Sequence, residues 1–170
     1  MELTSNAVTI YSDGSCRGNP GPGGWGVVVI DTDTGELIDC FSEQSEETTN
    51  NREEMKAIIF ALEKYGVDSH NFNLIPIIYS DSSYCVNTFN DWMWRWERNN
   101  WIKSDKKIPE NLDLVKTYYN LIKEKSIELR KVKGHANIKW NEVADALATG
   151  RMNIKEVKEK YGNNSGNSDN

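Results

Sequence analysis

The stretch AVTIYSDGSCRGNPGPGGWGVVVI, residues 7–30, decides how this chain is read. Its first part alternates, with Ala7, Thr9 and Tyr11 on one side and Val8 and Ile10 on the other, and its β-branched residues favour a strand. Asp13 falls at the end of that strand. The glycines and prolines of GSCRGNPGPGG predict a compact turn, after which WGVVVI reads as a near-continuous apolar strand. LIDCFS, residues 37–42, is a third strand, and Thr34-Gly35 between the two predicts a hairpin turn.

Downstream, SEQSEETTNN (residues 42–51) is polar and irregular, and from Met55 the spacing Met55, Ile58, Ile59, Leu62 predicts a helix ending at Gly66. NLIPIIYSD (73–81) is a further apolar strand that again stops at an aspartate, although Pro76 argues against a central place in a sheet. Residues 82–101 read as helical. Leu112, Val115, Tyr119 and Ile122 give another helical face, IELRKV (127–132) alternates as a strand, and NEVADALATGRM (141–152) closes as an Ala/Leu-rich helix. The order βββαβααβα predicts an α/β domain in which an antiparallel meander joins parallel strands and helices cover the sheet.

At 170 residues, with 38% hydrophobic and 27% charged residues, the chain has the size and composition of one soluble domain. The polar GNNSGNSDN at the C-terminus has nothing to bury and reads as a disordered tail. With 20 basic against 26 acidic residues and a net charge of −6, the chain cannot coat a polyanion generically, so nucleic-acid contact must be local. No apolar run reaches the roughly 18 residues of a membrane span, and the N-terminus lacks the pattern of a signal peptide. A cytoplasmic protein is expected. Cys16, Cys40 and Cys85 are odd in number and form no CxxC pair, which points to reduced thiols rather than a disulfide framework or zinc site.

Asp13 and Asp81 each follow an aromatic-Ser pair where an apolar strand stops, and the strand ends of an α/β sheet are where functional groups are displayed. A single aspartate there is equally well a turn former; two at matched positions favour a site. Glu54 and Asp145 could complete a cluster of carboxylates, whose mutual repulsion would call for a cation, and hard oxygen ligands select Mg²⁺ or Mn²⁺. If Asn50 is the N-cap of the first helix, Glu53 occupies its third position and returns a hydrogen bond to the cap. Glu54 then lies about 100° further round, on the stripe of Ile58 and Ala61 that faces the sheet.

Five motifs in order, YSDGSCRGNPGPGGWG, TTNNREEMKAIIFALE, YSDSSY, WIKSDKK and VKGHANIKWNEVADALA, resemble the type 1 ribonucleases H of bacterial type, over about residues 7 to 150. The resemblance implies the ribonuclease H fold, a five-stranded mixed sheet with helices on its faces, in a catalytic domain of residues 1–152 followed by a helical extension and polar tail at 153–170. It implies an endonuclease that cuts the RNA strand of RNA–DNA hybrids to leave 5′-phosphate and 3′-hydroxyl ends. Two Mg²⁺ ions, with Mn²⁺ as the alternative, would be held roughly 4 Å apart by Asp13, Glu54, Asp81 and Asp145, Asp13 bridging both. His135, in the KGHAN loop, would transfer a proton near the leaving group; His70 reads as a solvated loop residue.

The same resemblance assigns substrate contacts. Cys16, Asn19, Asn50 and Asn51 would meet the hybrid in its minor groove, where 2′-hydroxyls distinguish RNA from DNA, and Asn19, Thr49 and Asn111 would line a DNA-phosphate pocket. Trp92, Arg95, Trp96, Arg98, Trp101 and Lys106 fall in the basic protrusion that grips the DNA strand, where aromatics interleave with cations. Two departures stand out: Asn137 replaces a glycine common in bacterial members, and Glu47 stands where relatives can carry a basic residue beside Thr49. A monomer acting on a hybrid is expected. Two rivals remain: a catalytically silent hybrid-binding module, and a related two-metal nuclease domain that also accepts double-stranded RNA. The full set of four carboxylates with His135 counts against the first.

Overall fold

The computed structural model of the chain describes residues 8–66, 76–125, 127–132 and 139–162. The expectations for His70, for the loop carrying His135 and Asn137, and for the polar tail beyond Gly162 lie outside the described residues. A five-stranded sheet runs in the order β3-β2-β1-β4-β5, formed by β1 (Val8–Cys16), β2 (Gly21–Asp31), β3 (Leu37–Thr48), β4 (Ile77–Ser80) and β5 (Leu129–Lys131). β1, β2 and β3 pair antiparallel, while β4 pairs parallel with both β1 and β5. This is the mixed sheet expected of the motif order.

Strand alternation sorts the core into two layers. Ile10, Trp25, Val27 and Val29 face α1 (Asn50–Ala61), α2 (Ser83–Asn87), α3 (Met93–Arg98) and α4 (Leu112–Ile122). Val28 and Ile30 face α5 (Lys139–Thr149) and α6 (Ile154–Tyr161), the last of which docks on β3 through the fully buried Val157. Burying each such aliphatic side chain stabilises the fold by about 1.5–3 kcal/mol.

Three elements differ from the sequence expectations. β1 does not stop at Asp13: it runs on to Cys16 against Gly23–Gly26 of β2, so the predicted turn shrinks to residues 17–20, because successive glycines let the two backbones pair closely. What ends near Asp13 is the parallel pairing with β4, last matched at Ser12 and Ser80. β3 continues through the polar residues 43–48, of which Glu43, Gln44, Glu46 and Glu47 are exposed on an edge strand and left no apolar alternation to read. The single helix expected over 82–101 is α2 and α3 joined by a π-helical turn, Thr88–Trp92. The indole N–H of Trp94 donates to the Phe89 carbonyl in that wider turn, at 3.2 Å.

Other expectations hold. The hairpin turns at Gly35, with φ +77°, and the Asp31 carboxylate accepts from the amides of Asp33 and Thr34. The Pro76 expectation is the exception: β4 is interior to the sheet, because Pro76 lies just before the strand and its missing N–H costs no ladder bond. At the outer strand β5, Asn90 uses its side-chain amide twice, donating to Leu129 O at 2.9 Å and accepting from Leu129 N at 3.0 Å.

Candidate active site

Two glycines set the site. A Cβ on Gly14 would stand 2.3 Å from the Glu54 amide, and one on Gly26 would stand 2.5 Å from the Ala144 carbonyl. Their absence lets α1 and α5 approach opposite faces of the β1–β2 pair, where Asp13 lies directly across from Gly26. Four carboxyls thereby reach one end of the sheet: Asp13 from β1, Glu54 from α1, Asp81 just past β4 and Asp145 from α5.

Ligand atoms of Asp13, Glu54 and Asp81 all lie within 4.8 Å of one another. Asp13 and Glu54 are each 4% exposed, and Asp81 is half-buried. Burial, then the charge of Asp81 and a hydrogen bond with Asp145, pushes the Asp13 carboxyl up to about 8. Burial and the charges of Asp13 and Asp81 hold Glu54 well above the usual carboxylate range. Burial also raises Asp81, against the opposing pull of Lys131. Glu54 Oε1 is buried with no hydrogen-bond partner among the described residues. An all-oxygen donor set with an orphaned buried oxygen and suppressed ionisation fits a hard divalent cation, whose charge would replace the protons.

Asp145 stands at the rim of this trio. It is close enough to Asp13 to help raise that carboxyl, but its side chain is 44% exposed and its Oδ2 accepts from Arg151. The stripe reading of α1 holds, since Glu54, Ile58 and Ala61 are all buried toward the sheet. The cap reading does not. Thr49 is the N-cap, its Oγ1 accepting from the Arg52 amide at 3.2 Å, so Asn50 is the first helical residue and Glu53 the fourth. Glu53 is instead wholly buried, where Oε2 accepts from Thr48 Oγ1 at 2.7 Å and pairs with Lys56 Nζ at 2.6 Å.

The residues expected to touch substrate fall into two groups. At the start of α1, Asn19 Oδ1 accepts from the Asn50 amide at 2.8 Å, and Asn111 Oδ1 accepts from Arg52 Nη1 at 3.3 Å. Thr49 and Asn51 are half-buried beside them. The Cys16 sulfur faces the carbonyls of Gly18, Gly21 and Thr48 at 2.8, 3.4 and 3.3 Å, so its single S–H is spent within the fold. Arg52, unremarked in the sequence, organises this cluster through a two-pronged ion pair with Asp113 at 2.8 and 3.0 Å. Its only sequence signal was a cation inside TTNNREE.

The second group surrounds a groove of about 550 Å³ lined by Tyr84, Trp92, Arg95, Trp96 and Lys103. Trp92 and Trp96 present one helical face, with ring centroids 6.4 Å apart. Trp101 does not line this groove: it packs edge-on against Tyr119 at 5.3 Å, with Lys116 over its ring. Arg98 and Lys106 are exposed and also lie off the groove lining.

Comparison with known proteins bears on the whole of this arrangement. The chain is 44% identical over 160 residues to the ribonuclease H of Caldanaerobacter subterraneus subsp. tengcongensis, covering 94% of this chain and 99% of the relative. It is 45% identical to the ribonuclease H of Thermoanaerobacter sp. strain X514, covering 88% and 92% of the two chains. Among solved structures, LC9-RNase H1, a type 1 RNase H with the type 2 active-site motif, superposes with a TM-score of 0.68 at 30% identity, over 85% of this chain and 71% of that one. LC11-RNase H1 in complex with an RNA/DNA hybrid matches with a TM-score of 0.58 at 27% identity, over 88% and 98%. The family model for RNase H matches residues 5–153, a span that contains all four carboxylates, and the chain belongs to the ribonuclease H family.

Proposed function

We propose that this chain is a divalent-metal-dependent endonuclease that hydrolyses the RNA strand of RNA–DNA hybrids, leaving 5′-phosphate and 3′-hydroxyl ends. The observation that carries this reading is the convergence of Asp13, Glu54 and Asp81, from three separate elements, within 4.8 Å at one sheet end. The hybrid complex of the LC11 relative supports the choice of substrate.

Asp13, Glu54, Asp81 and Asp145 would hold Mg²⁺ or Mn²⁺, which when bound supplies charge for an in-line displacement at phosphorus. Asp13 and Glu54, both nearly buried, would hold the ion from the inner side. The groove of Trp92, Arg95 and Trp96 holds the DNA strand by its backbone and sugars, which carries little base preference. Asn19, Thr49 and Asn111 offer neutral donors to a DNA phosphate, and Cys16, Asn50 and Asn51 face the minor groove. His135 returns a proton to the departing oxygen. One chain supplies every carboxylate, which supports action as a monomer, and three free thiols suit the reducing cytoplasm. No described helix is long and apolar enough to cross a membrane.

Strand-labelled RNA–DNA hybrid, double-stranded RNA and DNA duplex, each offered with Mg²⁺, Mn²⁺ or chelator, test the reading. RNA-strand cleavage of the hybrid that stops with chelator is expected. Binding without cleavage would make the chain a silent module, equal cleavage of double-stranded RNA a broader nuclease, and undiminished cleavage in chelator would overturn the metal role.

A further inference from the structure

The C-terminal turn of α5 is built in a way that the carboxylate cluster alone does not require. Gly150 adopts φ +81°, its amide donates to Leu147 O at 3.2 Å and the Met152 amide donates to Ala146 O at 3.2 Å, closing the helix with a left-handed turn. That reversal carries Arg151 back over the last turn of the helix, six residues after Asp145. Its Nη2 donates to Asp145 Oδ2 at 2.5 Å, while its Nε donates to Thr149 Oγ1 at 3.0 Å. Thr149 Oγ1 in turn donates to the Asp145 carbonyl at 2.9 Å. Two contacts therefore fix the guanidinium plane against a single carboxylate.

Asp145 thus has the Asp13 carboxyl as a neighbour on the inner side and Arg151 as its ion-pair partner on the outer. The guanidinium is a fixed positive charge, and only another cation can take its place beside Asp145. We propose that Arg151 is a counter-ion built into the site, which competes with a divalent ion for Asp145 and so sets the metal concentration that the enzyme needs. The proposal rests on the metal reading above.

Both partners reach solvent, with side-chain exposures of 62% for Arg151 and 44% for Asp145. Exposed pairs contribute little net free energy, so Arg151 tunes occupancy and does not bar it. From that scale, removing the guanidinium tightens divalent binding about two- to five-fold.

The test is calorimetric titration of MgCl₂ into the full chain, with melting curves across the same Mg²⁺ range, for wild type, Arg151→Gln, Asp145→Asn and the double variant. Arg151→Gln should bind Mg²⁺ more tightly and reach its metal-stabilised melting temperature at lower Mg²⁺. In the Asp145→Asn background the same substitution should change neither, because the contested carboxylate is gone. Unchanged or weaker binding in Arg151→Gln, or an equal gain in the Asp145→Asn background, overturns the proposal; the latter would be a general effect of net charge. An Asp13→Asn titration separates the two readings. If wild type binds no Mg²⁺ that Asp13→Asn removes, both fall; if it does and Arg151→Gln is without effect, only this proposal falls.

Discussion

Gly14 and Glu54 are in backbone contact: a Cβ on Gly14 would lie 2.3 Å from the Glu54 nitrogen, 2.6 Å from the Glu53 carbonyl carbon and 2.8 Å from the Glu54 Cα. None of these is the yielding end of a side chain, so the first turns of α1 would have to move. Gly14→Ala is expected to destabilise by about 1–3 kcal/mol, as overpacking does, and to weaken metal-dependent cleavage by more than the stability loss explains, because Glu54 is displaced from Asp13. Melting and turnover measured over a Mg²⁺ series check this. Normal turnover at unchanged Mg²⁺ dependence would show that the close approach does not place Glu54.

The elevated Asp13 carboxyl predicts an inverted pH response in the metal-free protein. Its folded value of about 8 lies above the ordinary 3.8, so between these limits the folded chain holds a proton that the unfolded chain has lost. The stability it contributes is full below about pH 4 and is lost as pH rises through about 8. With chelator present, melting temperature should therefore fall from pH 5 to pH 8. Asp13→Asn should flatten that slope and raise the melting temperature at pH 8, on a scale of about 2–4 °C per kcal/mol for a domain of this size. A wild-type slope preserved in Asp13→Asn would assign the effect to other groups.

Adjacent acids on α1 should behave oppositely. Glu53→Ala removes the partner of Thr48 and Lys56 from a wholly buried position, and a loss of about 2–4 kcal/mol is expected, below the range for a fully enclosed pair because the Lys56 tail reaches solvent. Glu54→Gln removes a crowded charge and should abolish cleavage while holding or raising the melting temperature. Melting curves and Mg²⁺-dependent turnover on both variants decide it: a stable Glu53→Ala beside an active Glu54→Gln would refute both assignments.

Replacing Arg95 and Arg98 together with Ala should weaken hybrid binding and lessen its salt dependence. Every phosphate that is no longer neutralised takes about 0.9 off the slope of log affinity against log salt on B-form duplex. Arg95 is engaged by Asp91 at 3.0 Å on an exposed face, so its contribution is discounted and Arg98 should carry the larger share. Equilibrium binding from low to moderate salt on the double and both single variants checks the order, and an unchanged slope would exclude this segment from phosphate contact.

The apolar runs made much of this fold legible. Val27–Ile30 and Ile77–Ile78 announce strands by themselves, and the Ile58–Ala61 stripe correctly turned Glu54 toward the sheet. What escaped is polar. Residues 43–45 of β3 pair with β2 and residues 46–47 form an irregularity before Thr48, and most of these polar side chains are exposed, so nothing in their chemistry signals a strand. In Thr49-Asn50-Asn51 three good capping residues stand in a row, and only the geometry of the Arg52 amide selects the first. Glu53 reads as a capping partner because an Asn50 cap would put it third in the helix; with Thr49 as the cap it turns inward to Thr48 and Lys56 instead. Arg151 was read as the end of a helix, whereas the left-handed Gly150 folds it back.

The clasp between Asn90 and Leu129 bears on how readily the sheet could take up a further strand. With both main-chain polar groups of Leu129 already satisfied, the three-residue β5 offers a newcomer almost no ladder to extend. Misassembly by strand addition would have to begin at the opposite margin, β3, and there Glu43, Glu46 and Glu47 stand exposed along the last stretch of the strand. Two such margins brought together would align acid with acid. An amide clasp at one margin and exposed acids at the other thus both disfavour strand addition among the described residues.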